Sequence, residues 1–138
     1  LWFVPGRTQL MPVGGDDLAM PALRYADGLP ARFDAVHLAL GHDGHTASWP
    51  PSPHCDATVV SSQNPVAMVG DFNGRGRMTL TPAPINQARS RLILVTGKAE
   101  SAMVRRWLDR DRSIPVTHVR RSGTTLFLDH AAASKLSL

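Results

Sequence analysis

A single cysteine, Cys55, stands among 138 residues, so no internal disulfide can form and a reducing cytoplasmic setting is the simplest expectation. Aromatic residues are scarce at 6% and do not alternate with the basic residues, which removes the stacking platform a single-stranded nucleic-acid binder needs. No apolar run reaches the roughly 18 residues of a spanning helix, and the first residues lack a signal-peptide pattern. No membrane partner is therefore expected. Neither sign of charge dominates, because the formal net charge is only +4. The high isoelectric point of about 10.2 comes from arginines spread over Arg75/Arg77, Arg89/Arg91, Arg105/Arg106/Arg110/Arg112 and Arg120/Arg121. That scatter reads as a solvated exterior, and no nucleic-acid partner is expected.

What is present is a globular balance, 43% apolar and 19% charged, in a length that suits one domain. Eleven glycines and eleven prolines imply many turns and short elements. Residues 1–30, punctuated by Pro5, Pro12, Pro21, Pro30 and Gly14-Gly15, read as an irregular lead-in with a short strand at 1–4 and a short helix near 19–27. Phe33–Leu40 and Arg91–Thr96 are apolar runs of buried-strand length. Brief strands are expected near 57–60 and 66–69, and Met78–Thr81 alternates as a strand does.

Helices are expected over Pro82–Arg91, with proline in the first turn, and over Lys98–Arg110. In the second, Ala99, Met103 and Trp107, flanked by Val104 and Leu108, make one apolar stripe for the core. Thr124–Leu128 reads as a last strand, and Asp129 as the N-cap of a short helix over 130–136. This alternation predicts one α/β domain, a mostly parallel sheet with helices on both faces, with ligands beyond the carboxyl ends of the strands.

The segment that could do chemistry is Gly41-His42-Asp43-Gly44-His45-Thr46-Ala47-Ser48. It follows a strand, its glycines permit unusual backbone angles, and it gathers two histidines and a carboxylate. A histidine held there suits general-base work, and nearby amides suit an oxyanion or phosphate. A polar turn with incidental histidines is the plain alternative. A zinc site from His42, His45, His54 and Cys55 is a third, but the spacing lacks the paired ligands of structural zinc, and no metal is expected. His37 reads as a satisfied histidine in or beside the sheet, His118 and His130 as surface or cap positions.

The same segment resembles the GxDGHTAS signature of 6-phosphogluconolactonases. Phe33–Leu38 resembles the strand before that signature, and Arg77-Met78-Thr79-Leu80-Thr81 the family's R-I-T-L-T. Pro84–Arg89, Arg91–Gly97 and Gly123–Ala133 are similar to its later elements, so the likeness spans 33–133. The resemblance implies the C-terminal part of the NagB/RpiA-like fold and hydrolysis of 6-phosphoglucono-δ-lactone in the oxidative pentose phosphate pathway, without a cofactor. By the same resemblance His45 would be the catalytic base and Asp43 its orienting carboxylate, while Arg77, Gly44, Thr46 and Lys98 would meet the sugar phosphate. Thr46-Ala47-Ser48 favours the lactonase over the related glucosamine-6-phosphate isomerase or deaminase, which continues toward A-F-N-E. The family's GG-x-T-P and DER-x-V-P motifs are not found in these residues. The domain is accordingly expected to be incomplete on its N-terminal side. Its partners would be the remaining half or another copy, and the alternative role is a non-catalytic sugar-phosphate binding or assembly module.

Overall fold

The computed structural model describes residues 8–14, 17–51, 57–70, 74 and 76–137. The expected strand at 1–4 lies outside them, as do His54 and Cys55. In chain order the elements are α1 (Ala19–Asp27), β1 (Ala35–Ala39), α2 (Ala57–Ser61), β2 (Val66–Val69), β3 (Arg77–Leu80), α3 (Pro82–Gln87), β4 (Ser90–Val95), α4 (Ser101–Leu108), a 3₁₀ turn (Pro115–His118) and β5 (Thr124–Leu128). Strands β1, β4 and β5 form a parallel sheet in the order β1-β4-β5, and β2 and β3 form a separate antiparallel pair.

The α/β class holds, but the layering differs from the expectation of two covered faces. Moving from β1 to β4 to β5 is movement in one direction, and right-handed crossovers then lay their helices on one face. That face carries Val36, Leu38, Ile93 and Val95 and packs on Ile85, Val104, Trp107 and Val116. The opposite face presents Ala35, His37, Ala39, Leu94 and Phe127 to solvent, with Leu94 49% and Phe127 51% exposed. The apolar runs are therefore half-buried strands, and His37 stands on the open face. The β2–β3 pair makes a second small core with α1, through Leu18, Ala22, Val66 and Met78.

Four local expectations are corrected. Residues 57–61 are helical, because Val59 is drawn completely into the main core and packing overrides β-propensity there. Helix α3 stops at Gln87, since Ser90 already pairs with Ala35 of β1. Helix α4 starts only at Ser101; residues 98–100 form a turn after Gly97 (φ 94°), leaving Ala99 exposed and outside the stripe. Residues 130–136 are successive turns, although the Asp129 carboxylate does accept the Ala132 amide at 2.7 Å.

Arg91, read from sequence as exterior, is fully buried. Its Nη1 donates to the carbonyls of Ile85 (3.3 Å), Asn86 (3.3 Å) and Ala88 (2.9 Å). Its Nε donates to Thr124 Oγ1 (2.9 Å) and Arg120 O (3.3 Å), and its Nη2 to Ser122 O (2.5 Å). The partners are oxygens at the end of α3 and in the turn before β5. At the exit of α4, Asp111 accepts from Ser113 and Arg106, which hold its carboxyl down at about 2.

Replacing Arg91 by Met is expected to lower stability by about 2–4 kcal/mol, because several buried carbonyls lose their donor. Urea unfolding measures this, and an unchanged midpoint would mean that the carbonyls find other partners. A folded pKa below the ordinary 3.8 means that Asp111 contributes fully above 3.8 and loses its contribution as pH falls from there toward 2. Thermal melts of Asp111→Asn should therefore fall less steeply than the parent over that window.

Candidate active site

The Gly41–Ser48 turn leaves the carboxyl end of β1, and its shape is fixed from inside the turn. Gly41 N–H donates to His45 O (2.8 Å) and Gly44 N–H to Gly41 O (2.9 Å). Asp43 Oδ1 accepts the His45 amide at 3.1 Å, as an aspartate does in an Asx turn. The same oxygen meets His45 Nδ1 at 2.5 Å. Partial burial raises the Asp43 carboxyl, but the His45 amide, the ring hydrogen bond and the ring's charge outweigh this and hold it below its ordinary value. An ionised carboxylate on Nδ1 selects the tautomer protonated there, and Nε2 then carries the ring's lone pair.

Two glycines are required by contact as well as by conformation. A Cβ on Gly41 would fall on Cε1 and Nδ1 of the His45 ring, with Asp43 Oδ1 at 2.9 Å. Gly44 has φ 88°, and a Cβ there would lie 2.8 Å from Cβ of Ile114. Neighbouring elements brace the turn. Gly44 O accepts the Val116 amide (3.1 Å), Ser48 N–H donates to Thr79 Oγ1 (3.2 Å), and the buried Trp49 indole donates to Leu80 O (2.8 Å). Nothing local in the sequence marks Thr79 and Trp49 as braces of this turn. Thr79 sits inside the RMTLT segment, and a buried threonine in a motif strand was the available signal.

The sequence candidates fall into three groups. His45 and Asp43 come together, and His45 lines a cavity of about 380 Å³ beside the outer edge of β1, walled by Met78, Thr79 and Leu80. Gly44 and Thr46 sit inside the turn. Gly44 is buried with its amide donated to Gly41, and Thr46 is 1% exposed with its hydroxyl donated to Ala39 O at 2.7 Å. Both shape the turn. Arg77 opens β3 two residues before Thr79, and Lys98 is exposed in the turn after β4, at the same carboxyl edge of the sheet as the Gly41–Ser48 turn. The Lys98 turn is tied down by Asp129, which accepts the Gly97 amide at 3.0 Å. No cluster of three or more metal-ligating side chains occurs among the described residues, and no helix among them is long and apolar enough to cross a membrane.

The chain is an α/β protein with a parallel sheet, and its histidine–carboxylate pair stands at the carboxyl edge, where such sheets commonly bind ligands. The family model for glucosamine-6-phosphate isomerases/6-phosphogluconolactonase matches residues 5–127, and the chain belongs to that family. It is 36% identical to the 6-phosphogluconolactonase of Rattus norvegicus over 77% of this chain and 42% of the relative. It is 31% identical to that of Nostoc sp. over 93% of this chain and 58% of the relative. The solved 6-phosphogluconolactonase from Trypanosoma cruzi superposes with a TM-score of 0.70 at 27% identity, covering 86% of this chain and 52% of that one. A monomeric glucosamine-6-phosphate deaminase shares the fold, with a TM-score of 0.64 at 21% identity, over 87% of this chain and 56% of its own. The chain thus spans about half the length of the relatives it matches.

Gly41→Ala is expected to push the imidazole off Asp43 while leaving the fold in place. Imidazole-directed ¹⁵N NMR would detect this as loss of the hydrogen-bonded Nδ1–H signal of His45, and a retained signal would show that the ring does not need the space.

Proposed function

We propose that this chain carries the general-base portion of a 6-phosphogluconolactonase site. The observation that carries the reading is the 2.5 Å contact between His45 Nδ1 and Asp43 Oδ1, on a turn built to hold both. His45 Nε2 takes a proton from a water whose oxygen bonds to C1 of 6-phosphoglucono-δ-lactone. As the tetrahedral intermediate collapses, the bond from C1 to the ring oxygen breaks. The imidazolium returns its proton to that oxygen, giving 6-phosphogluconate, a step of the oxidative pentose phosphate pathway. Asp43 holds the tautomer and offsets the imidazolium charge. Arg77, whose guanidinium fork suits a phosphate, and Lys98 hold the 6-phosphate. Gly44 and Thr46 act by shaping the turn.

A second reading rests on the open sheet face and on the half-length match. In it the chain binds sugar phosphate in the cavity between β1 and β3 without turning it over. The glucosamine-6-phosphate isomerase or deaminase reading has the fold and the turn as far as His45 in its favour, and Thr46-Ala47-Ser48 against it.

The test is hydrolysis of freshly generated lactone, corrected for spontaneous opening, by the parent chain and His45→Asn. The variant should lose about 10²–10⁴ of the enzymic rate, with an unchanged circular dichroism spectrum. Equal rates in the two would sink the base assignment. A folded parent that binds 6-phosphogluconate but shows no turnover would select the binding reading, and deamination of glucosamine 6-phosphate would select the third.

A further inference from the structure

The lactone chemistry makes no use of the arginines at the other end of the sheet. Residues 120–123 lead into the first residue of β5, so they lie at the amino edge, opposite the Gly41–Ser48 turn. A cavity of about 680 Å³ opens there, and Arg110, Arg112, Arg120 and Arg121 all line it. No carboxylate among the described residues does so. The nearest acids along the chain are already engaged, Asp109 with Arg105 and Asp111 with Arg106, each at 2.7 Å.

Beneath this surface lies buried Arg91, bonded to Ser122 O and Thr124 Oγ1 in the cavity wall. Burial first, and then the charge of Arg120, pull its guanidinium below the ordinary value. A fifth positive charge therefore stands behind the four at the surface. Trp107 forms another part of the wall, and its Nε1–H is buried without a hydrogen-bond partner. Arg110 occupies the left-handed position that ends α4 (φ 62°), where glycine would be less strained. Concentrating like charge on one surface without a carboxylate beside it is unfavourable unless an anion balances it.

We propose that this cavity is a binding site for a small organic polyphosphate, distinct from the lactone site. The phosphates lie against Arg112 and Arg120, whose forks suit paired phosphate oxygens, and the organic group lies against Leu126 on the apolar wall. None of these residues belongs to the lactonase reading, so the two stand or fall separately.

Isothermal titration of the full chain with inorganic pyrophosphate and with ADP tests the site. The expected result is saturable one-to-one binding, weakened at least about ten-fold in the Arg112→Gln/Arg120→Gln double variant. Arg24→Gln, which removes a charge from α1, should leave binding unchanged. Thermal melts check that each variant is folded. No saturable binding by the parent would overturn the proposal. So would equal weakening by Arg24→Gln, which would signify diffuse charge attraction. Binding of an oligonucleotide without binding of pyrophosphate or ADP would also overturn it, in favour of a nucleic-acid surface.

Discussion

A guanidinium with no access to water has to be surrounded by oxygens, and Arg91 organises the middle of this fold around that requirement. Its donors end on three carbonyls at the close of α3 and on the turn that feeds β5. The carboxyl end of a helix is its negative end, so the charge is met by carbonyl dipoles in place of a carboxylate. Arg91 also sits in β4, the central strand, opposite Val36 of β1 and Thr124 of β5. One side chain thereby ties the end of α3 to the start of β5 from within the central strand. Gly123 belongs to the same arrangement, since a Cβ there would lie 2.7 Å from Nη2.

From that register follows the position of the candidate site. With β1 at one edge and β5 at the other, the helices gather on one face, and the turn after β1 hangs at the sheet margin. Parallel sheets are ordinarily covered on both faces. Here the uncovered face runs up to the same β1 edge beside which His45 lines its cavity. The chemistry-bearing turn and the unsatisfied apolar surface are thus neighbours for a topological reason.

Much of this was legible in the residues. Alternation located β3 and a 3.6-residue stripe the body of α4, and the turn chemistry around Asp43 and the glycines marked the segment that holds the dyad. What escaped was non-local. Val59-Val60 reads as strand by propensity and is helical because the core claims Val59. Arg91 reads as surface because nothing near it in sequence is acidic, and its partners are backbone carbonyls that composition does not display. Nor does the sequence display that Thr46 and Gly44 are buried and hydrogen-bonded within the turn. Which face of a strand is covered depends on strand order, and no single strand encodes that.

The site divides into a part that is local and a part that is assembled. Asp43 and His45 are two residues apart, and their contact needs only an Asx turn, a glycine that leaves room for the ring, and a second glycine with positive φ. Such geometry survives wherever the turn is braced, which Trp49, Thr79 and Val116 accomplish within this chain. Arg77 and Lys98 are different, because they come from separate elements and could meet one ligand only through the relative placement of β3 and the β4–α4 turn. Proton transfer depends on sub-ångström placement of a few atoms, whereas a phosphate can be gripped by charges delivered from a distance. The histidine–carboxylate pair is therefore a property of one braced turn, whereas anything that joins it to Arg77 or Lys98 depends on how separate elements are placed.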